Sequence, residues 1–301
     1  MSPMDTIFDR RQVRRAFSRA AGSYSAAADL QREVESRLFE SLDYLGEQVP
    51  DSILDLGSGP GTAAIELRRR WPKARVLAVD LALPMLRQVA PKRGWNPLQR
   101  PIDRVCADAR ALPLADDSVD LVFSNLCLQW VEDLDALFAG FRRVLRPGGL
   151  LLCSTFGPDT LHELRASFAA ADDQAHVSPF APIADFGDAL MRAGFRDPVL
   201  DRDVDVHRHQ DMAGLMRGLR EIGATNALAA RRRALTGRGR FAAAKTAYEQ
   251  WRGEDGLLPA TWETITAMAW APAHGQPIRE GGEDVARFPA SGIPVRRRRV
   301  G

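Results

Sequence analysis

The stretch ILDLGSGPGTA, residues 53–63, decides the fold. Its apolar start predicts a short buried strand, and the segment TAAIELRRRW, residues 62–71, has the residue spacing of a helix. Between them, glycines alternate at positions 57, 59 and 61. Because glycine has no Cβ, such a turn lets the backbone approach a ligand closely. The stretch therefore predicts the first strand, turn and helix of an α/β protein that binds a nucleotide-like ligand.

The spacing of these glycines disfavours a dinucleotide. The dinucleotide fingerprint is G-x-G-x-x-G, whereas Gly61 comes one residue early and follows Pro60, whose ring fixes the backbone φ. Asp55 lies two residues before Gly57, and a carboxylate at the end of a strand suits a ligand with a positive charge. The turn therefore does not require a pyrophosphate, and a nicotinamide-dependent dehydrogenase is the weaker interpretation.

Strands and helices alternate from residue 52 to residue 156. The predicted strands SILDLG, RVLAVDL, RVCADA, VDLVFS and LLLCSTF are nearly continuous apolar runs, which is typical of parallel strands covered on both faces. After the glycine turn, the next strand ends are marked by Asp80, Asp108 and Asn125. Open α/β sheets bind ligands at the carboxyl ends of neighbouring strands, where a carboxylate such as Asp80 can accept both ribose hydroxyls. Asp108 is placed to recognise an adenine amino group.

The flanking segments predict additional helices and a last strand. Residues 1–50 are expected to form an N-terminal helical segment, 51–210 the α/β core, 211–258 a helical insertion that acts as a lid, and 259–272 the last core strand. From residue 273 to residue 301, glycine, proline and arginine dominate, and we expect poor order there.

Composition excludes several functional classes. A hydrophobic content of 45% and a charged content of 27% are ordinary for a globular protein, and a net charge of +2 is too small for nucleic-acid binding by bulk charge. No apolar run approaches the ~20 residues of a membrane span. We interpret Cys106, Cys127 and Cys153 as reduced core residues of a cytoplasmic protein. His207 and His209 lack an evident third ligand, so no metal site is predicted.

Four segments together make the chain resemble the class I S-adenosylmethionine-dependent methyltransferases. They are LDLGSGPG, VLAVDLALPML, CADARALPLADDSVDLVFSNLCLQWV and RVLRPGG. The resemblance implies a Rossmann-like, seven-stranded, mostly parallel sheet with helices on both faces and an antiparallel last strand. It also implies S-adenosylmethionine as the cofactor. The residues it assigns to cofactor binding are Gln31, Asp55, Gly57, Gly59, Gly61, Asp80, Leu81, Met85, Asp108, Ala109, Asn125 and Leu126.

The flanking segments are similar to a narrower family, the malonyl-acyl-carrier-protein methyltransferases of biotin synthesis. The similarity runs from about Phe8 to Trp270 and includes the elements REIGATN and LTGR. It implies transfer of a methyl group to the free carboxylate of a malonyl thioester, carried by acyl carrier protein or coenzyme A. The last element departs from the pattern, because Ala267 and Met268 stand where the family has a glycine and a histidine.

This reaction needs no strong catalytic base, because a carboxylate with an ordinary pKa near ~4 is already an anion at neutral pH. Tyr24 is the candidate for orienting the substrate carboxylate, or else a packed aromatic residue of the lid. Gln31 could reach the amino-acid end of the cofactor, or else be an exposed helical residue. Phe17, Gln129 and Trp130 are expected at the substrate site, although Trp130 could equally belong to the core.

A predicted N-terminal helix is rich in arginine. Helical spacing places Arg11, Arg15 and Arg19 on one face, which is either a solvated face or a docking surface for an acidic partner. The resemblance favours acyl carrier protein over nucleic acid, for which no recognition motif is present. A second arginine cluster lies at 231–240.

The rival functions are methyl transfer to another small molecule, such as a quinone or another carboxylate, and a non-catalytic binding protein with this fold.

Overall fold

A sheet of seven strands, in the order β3-β2-β1-β4-β5-β7-β6, lies at the centre of the molecule. The computed structural model describes residues 6–46, 48–89, 100–232 and 237–273, and the backbone of 278–280 and 283–285. The strands are β1 (Ser52–Leu56), β2 (Arg75–Asp80), β3 (Asp103–Cys106), β4 (Val119–Ser124), β5 (Leu145–Phe156), β6 (Arg196–His209) and β7 (Leu258–Trp270). The helices are α1 (Arg10–Ala20), α2 (Tyr24–Ala27), α3 (Asp29–Ser41), α4 (Thr62–Arg70), α5 (Leu83–Leu86), α6 (Leu134–Val144), α7 (His162–Ala169), α8 (Ile183–Arg192), α9 (Met212–Glu221) and α10 (Arg238–Tyr248).

Strand pairing follows the predicted α/β pattern. β1 pairs in parallel with β2 and β4, β2 pairs with β3, and β4 pairs with β5. β7 runs antiparallel to both of its neighbours, β5 and β6. The seven-stranded, mostly parallel sheet with an antiparallel last strand is therefore confirmed.

Alternating side chains of the strands fill two apolar layers, one on each face of the sheet. Leu54 packs with Phe138 of α6 and Phe186 of α8 in one cluster. Its neighbour Ile53 packs with Leu67 of α4 in the other cluster. Because successive strand side chains point to opposite faces, a continuous apolar run is what a sheet covered on both sides requires.

A third apolar cluster lies beyond the carboxyl end of β5. It joins Leu30 and Val34 of α3, Leu164 of α7, Leu215 of α9 and Tyr248 of α10. We call the helices α1–α3, α7, α9 and α10 together the cap. Helices α9 and α10 lie between β6 and β7, within the segment predicted to form a lid, whereas α7 lies in the segment predicted as core and packs against α10.

One sequence-based expectation is wrong. Cys106 is exposed rather than part of the core, because it lies on the edge strand β3, whose alternate residues are exposed. Most of the predicted tail, 273–301, lies outside the described residues; within it, Ile278–Glu280 pairs with Glu283–Val285 in an antiparallel ribbon. Among the described residues, no helix has the length and apolar character needed to cross a membrane.

Candidate functional site

The turn after β1 requires glycine for two reasons, its backbone conformation and its close packing against neighbouring side chains. Gly57, Gly59 and Gly61 all have positive φ, at +70°, +53° and +88°, which a side chain with a Cβ rarely adopts. A Cβ at Gly57 would lie 2.5 Å from Cβ and Sγ of Cys127, and one at Gly61 would lie 2.8 Å from Val89. Gly59 instead faces the aromatic ring of Tyr24, 3.8 Å from such a Cβ. Of the three glycines, only Gly59 therefore has free space beside its Cα, on the side that faces Tyr24.

A cleft lies over this turn, at the carboxyl ends of the central strands. It is a concave site lined mainly by apolar side chains with a few convergent polar groups, as ligand sites usually are. The predicted residues that line it are Phe17, Tyr24, Gly57, Gly59, Asp80, Leu81, Met85, Asp108, Ala109, Leu126 and Trp130. The structure thus brings together strand ends that are distant in the sequence.

Asp80 holds the floor of the cleft. One carboxylate oxygen accepts a hydrogen bond from the backbone N–H of Gly59 at 2.9 Å, and the other accepts from the N–H of Ala82 at 2.7 Å. Burial raises the pKa of Asp80, and these two backbone donors act in the opposite direction. Since each carboxylate oxygen has a further lone pair, Asp80 can still accept a pair of hydroxyl groups.

A second, adjoining compartment carries one buried carboxylate, Asp55, and one half-buried carboxylate, Glu35. Asp55 is 2% exposed, and its Oδ2 has no hydrogen-bond partner among the described residues. Burial, and then the neighbouring Glu35, raise the pKa of Asp55 well above its ordinary value. Glu35 accepts a hydrogen bond from Oγ1 of Thr62 at 2.9 Å, and burial raises its pKa as well. Two neighbouring carboxylates, one of them buried with an unsatisfied oxygen, suit a cationic group such as an ammonium.

Gln31 and Asn125 connect this compartment to the cap. Asn125 donates from Nδ2 to the backbone oxygen of Gln31 at 2.8 Å and accepts from Oγ of Ser154 at 2.8 Å. Its side chain therefore fixes α3 against the end of β4. The side chain of Gln31 lines the compartment, and its Oε1 is buried without a partner among the described residues. Helices α2 and α3 are separate and are joined at Ala28. Tyr24 and Gln31 therefore line the same compartment because the two helices pack together, not because of their spacing along one helix.

Asp108 lies in an ionic network that the sequence analysis did not find. Arg110 contacts Asp108 at 3.3 Å and Glu132 at 2.7 Å, and it donates to the backbone oxygen of Trp130 at 2.6 Å. This guanidinium ties the end of β3 to the turn after β4. Arg110, Cys127 and Glu35 all contribute to the site without having been predicted. The signals were proximity to Asp108 for Arg110, and a position one helical turn after Gln31 for Glu35.

A larger chamber continues from the cleft into the cap. Phe17, Tyr24, Leu126 and Trp130 line both spaces and form the passage between them. Trp130 packs edge-on against the rings of Phe8 and Phe17, with centroids 5.7 and 5.5 Å away. Burial raises the pKa of Tyr24, so its hydroxyl remains protonated at neutral pH and can donate a hydrogen bond at the passage.

The chamber is lined by polar as well as apolar side chains, among them Gln129, Gln174, His176 and Asn226. Gln129 donates from Nε2 to the backbone oxygen of Leu126 at 2.7 Å. The indole N–H groups of Trp130 and Trp262 are buried and have no acceptor among the described residues. The departure from the family pattern lies elsewhere, because Ala267 and Met268 are buried within β7.

A groove on the outer surface of the cap collects the predicted arginines. Its lining includes Arg10, Arg11, Arg15 and Arg19 from α1, and Arg231 and Arg232 from the segment after α9. Arg233 of the second arginine cluster lies outside the described residues. Within the described part of the chain, no group of three His, Cys, Asp or Glu side chains could hold a metal ion.

Comparison with known proteins gives consistent matches. Residues 54–153 match the family model described as "Methyltransferase domain". The chain is 57% identical over 297 residues to the malonyl-acyl-carrier-protein O-methyltransferase of Xylella fastidiosa (strain M23), covering 98% of this chain and 99% of that protein. It is 45% identical to the protein of the same name from Halorhodospira halophila (strain DSM 244 / SL1), covering 99% of this chain and 100% of that protein. Among solved structures, the YcgJ protein of Bacillus subtilis has the same fold, with a TM-score of 0.56 and 13% identity over 78% of this chain and 97% of that one.

Proposed function

The chain belongs to the malonyl-acyl-carrier-protein O-methyltransferase family, and on that premise we propose that it methylates the free carboxylate of a malonyl thioester carried by acyl carrier protein. The methyl donor is S-adenosylmethionine, and the product is the malonyl methyl ester from which the pimeloyl part of biotin is built, in the cytoplasm. The observation that carries this proposal is the passage at Tyr24, where an acidic cleft opens into a separate chamber.

The cleft and its adjoining compartment offer suitable side chains for the ribose, adenine and ammonium groups of S-adenosylmethionine. Asp80 can accept the ribose hydroxyls, and the apolar side chains of Leu81 and Met85 can flank the adenine beside Asp108 and Ala109. The unsatisfied oxygen of Asp55, with Glu35 nearby, can accept hydrogen bonds from the ammonium group of the cofactor. Gly59 lies between these two subsites, and its lack of a side chain leaves room for the cofactor beside its backbone.

The protein's contribution to catalysis is orientation. S-adenosylmethionine supplies a methyl group that is already activated on its sulfonium. Tyr24 donates a hydrogen bond that positions the substrate carboxylate at the passage, and the side chains of Phe17, Leu126 and Trp130 exclude water around it. Holding two reactants in line at ~3 Å can supply about 7–11 kcal/mol of the barrier. No side chain has to remove a proton, which agrees with the absence of an assigned base.

The arginines of α1 favour a carrier protein as the form in which the substrate arrives. Arg11, Arg15 and Arg19 line the outer groove, and none of them forms an ion pair within the described residues. Acyl carrier proteins are acidic, and opposite charge speeds encounter. A thioester of coenzyme A offers the same malonyl group without that protein surface.

A methyl-transfer assay tests the proposal. Protein incubated with methyl-labelled S-adenosylmethionine and malonyl-, acetyl- or succinyl-loaded carrier should label the malonyl carrier alone, and the Asp80→Ala variant should not label it. Absence of label on every carrier, with cofactor binding intact, would direct the search to another small-molecule acceptor. Label on the acetyl carrier would contradict methylation of a carboxylate.

A further inference from the structure

The outer basic groove and the inner chamber share two residues. Arg231 and Arg232 line both spaces, whereas Arg10, Arg11, Arg15 and Arg19 of α1 line only the groove. The two spaces therefore meet at 231–232. Anything that docks on the groove and reaches into the chamber passes these two guanidinium groups.

The backbone at this meeting point is built from two distant segments. Phe8 and Leu228 form an antiparallel bridge. The N–H of Asp9 donates to Ala227 at 2.8 Å, and the N–H of Ala229 donates to Ile7 at 2.8 Å. These bonds fix the start of α1 against the segment after α9, so the position of Arg231 and Arg232 relative to the α1 arginines is set by the main chain.

The two arginines differ in how they are held. Arg231 is 17% exposed at its side chain, pairs with Asp9 at 3.0 Å and donates to the backbone oxygen of Leu228 at 2.8 Å. Arg232 is exposed and forms no ion pair within the described residues. Asp9 is the single acidic residue in a groove lining that contains six arginines. The meeting point is thus strongly cationic, with one guanidinium fixed and one accessible.

We propose that Arg232, with Arg231 beside it, binds the phosphodiester of the carrier's pantetheine arm where that arm leaves the groove and enters the chamber. This inference rests on the proposed function, which supplies the carrier. A carrier-bound acyl group is linked to its protein by a flexible arm with a phosphodiester at the protein end. Guanidinium groups bind phosphate oxygens in paired, charge-assisted hydrogen bonds. The α1 arginines then contact the carrier protein, and the arm spans from Arg232 to Tyr24.

Coenzyme A carries phosphate at the same position of its own arm, so phosphate recognition alone does not distinguish the two sources. We assign the phosphate to the carrier because the site opens onto a groove lined by four further arginines. Such a cationic surface suits an acidic carrier protein. A site built for coenzyme A would respond to the loss of Arg232 with coenzyme A thioesters alone.

Binding and kinetics with defined thioesters test the inference. Calorimetry would compare malonyl-phosphopantetheine with malonyl-pantetheine on the wild-type protein, Arg232→Gln, and the control Arg217→Gln. Arg217 is exposed on α9 and outside the linings of the groove and chamber. Because charge-assisted hydrogen bonds are stronger than neutral ones, the phosphate should tighten wild-type binding ~10-fold or more. Arg232→Gln should abolish most of this gain, and Arg217→Gln should retain it.

In the transfer assay, Arg232→Gln should raise KM for malonyl carrier by a similar factor and leave kcat unchanged. Equal affinity of the wild type for the two arms would overturn the inference, and so would a raised KM for malonyl-coenzyme A with none for the carrier. Failure of the proposed function looks different: phosphate-dependent binding would persist, while no malonyl thioester accepted the labelled methyl group.

Discussion

The cofactor cleft with its adjoining compartment and the outer groove of the cap carry opposite charge, and their charged side chains are held in different ways. The cleft and its adjoining compartment place the half-buried Asp80 and the buried Asp55 on adjacent strands whose positions the sheet fixes. The groove places exposed arginines on α1, which is joined to the rest of the cap by helix packing and one short bridge. Buried charge in a fixed frame gives strong, specific contacts, whereas exposed charge mainly steers encounter. The two regions should therefore fail in different ways when their charges are changed.

The largest effect is expected at the cleft. Asp80→Ala removes an acceptor for the cofactor and also frees the backbone N–H groups of Gly59 and Ala82. With hydrogen bonds to a charged group worth ~1.5–3 kcal/mol each, cofactor affinity should fall ~100-fold or more. Asp103→Ala, on the neighbouring strand and paired only with Arg75 among the described side chains, is the matched control and should bind normally. Calorimetric titration measures both, and an unchanged affinity for Asp80→Ala would remove the assigned cofactor position.

The groove should show a kinetic effect confined to the carrier. Reversing both Arg11 and Arg15 to Glu replaces attraction of an acidic partner with repulsion, which should raise KM for malonyl carrier ~10-fold or more. KM for malonyl-coenzyme A should change much less. Arg14→Glu is the control, because Arg14 is exposed on the same helix but outside the groove lining. Equal effects on the two substrates would rule out the docking surface.

A third substitution, of Asp55 in the second compartment, should change folding stability and cofactor affinity in opposite directions. The folded chain holds the pKa of Asp55 above its unfolded value through burial and the nearby Glu35. Between those two pKa values the folded state binds more protons, so stability falls as pH rises and ionisation of Asp55 costs folding free energy at neutral pH. Asp55→Asn removes this cost, and the Tm of the cofactor-free protein should rise by about 2 °C or more.

The same substitution should weaken cofactor binding ~10-fold, because a charge-assisted hydrogen bond is lost. In the wild type, affinity should increase with pH as Asp55 and Glu35 ionise, since both have raised pKa values. In Asp55→Asn this dependence should be shallower. Calorimetry across pH 5 to about 8 measures it, together with thermal unfolding; a lower Tm and an unchanged affinity would refute the ammonium assignment.

The sequence was sufficient for the frame of the molecule because strand ends are local features. The glycine turn, Asp80 and Asp108 each follow a recognisable apolar run, and parallel pairing brings such ends together whatever the side-chain detail. The antiparallel position of β7 came from the family resemblance and not from its own residues. The exposure of Cys106 depends on β3 being an edge strand, which is a property of strand order and not of the local sequence.

The cap was less predictable because helix packing, not chain proximity, determines its contacts. Glu35 reaches the second compartment because α3 is joined to the end of β4 by the hydrogen bond between Asn125 and the backbone of Gln31. Arg231 forms an ion pair with Asp9, the residue before α1, although the two residues are 222 positions apart in the chain. Periodicity identifies which face of a helix is apolar, but not the partner against which that face packs.

Tyr24 lies at the passage between the cofactor cleft and the inner chamber, and its substitution should affect turnover of the substrate rather than cofactor binding. Tyr24→Phe keeps the ring against Gly59 and removes only the hydroxyl. Because a hydrogen bond to a charged group such as the substrate carboxylate is worth about 1.5–3 kcal/mol, kcat/KM for malonyl carrier should fall ~10-fold or more while cofactor affinity is retained. Tyr248→Phe is the control: Tyr248 is fully buried in the cap and donates to the backbone oxygen of Pro259 at 2.5 Å, so its loss should lower Tm without lowering kcat/KM. If Tyr24→Phe behaved like Tyr248→Phe, Tyr24 would be a packing residue of the cap, and the substrate carboxylate would have to be oriented by another donor of the chamber, such as the indole N–H of Trp130 or Trp262.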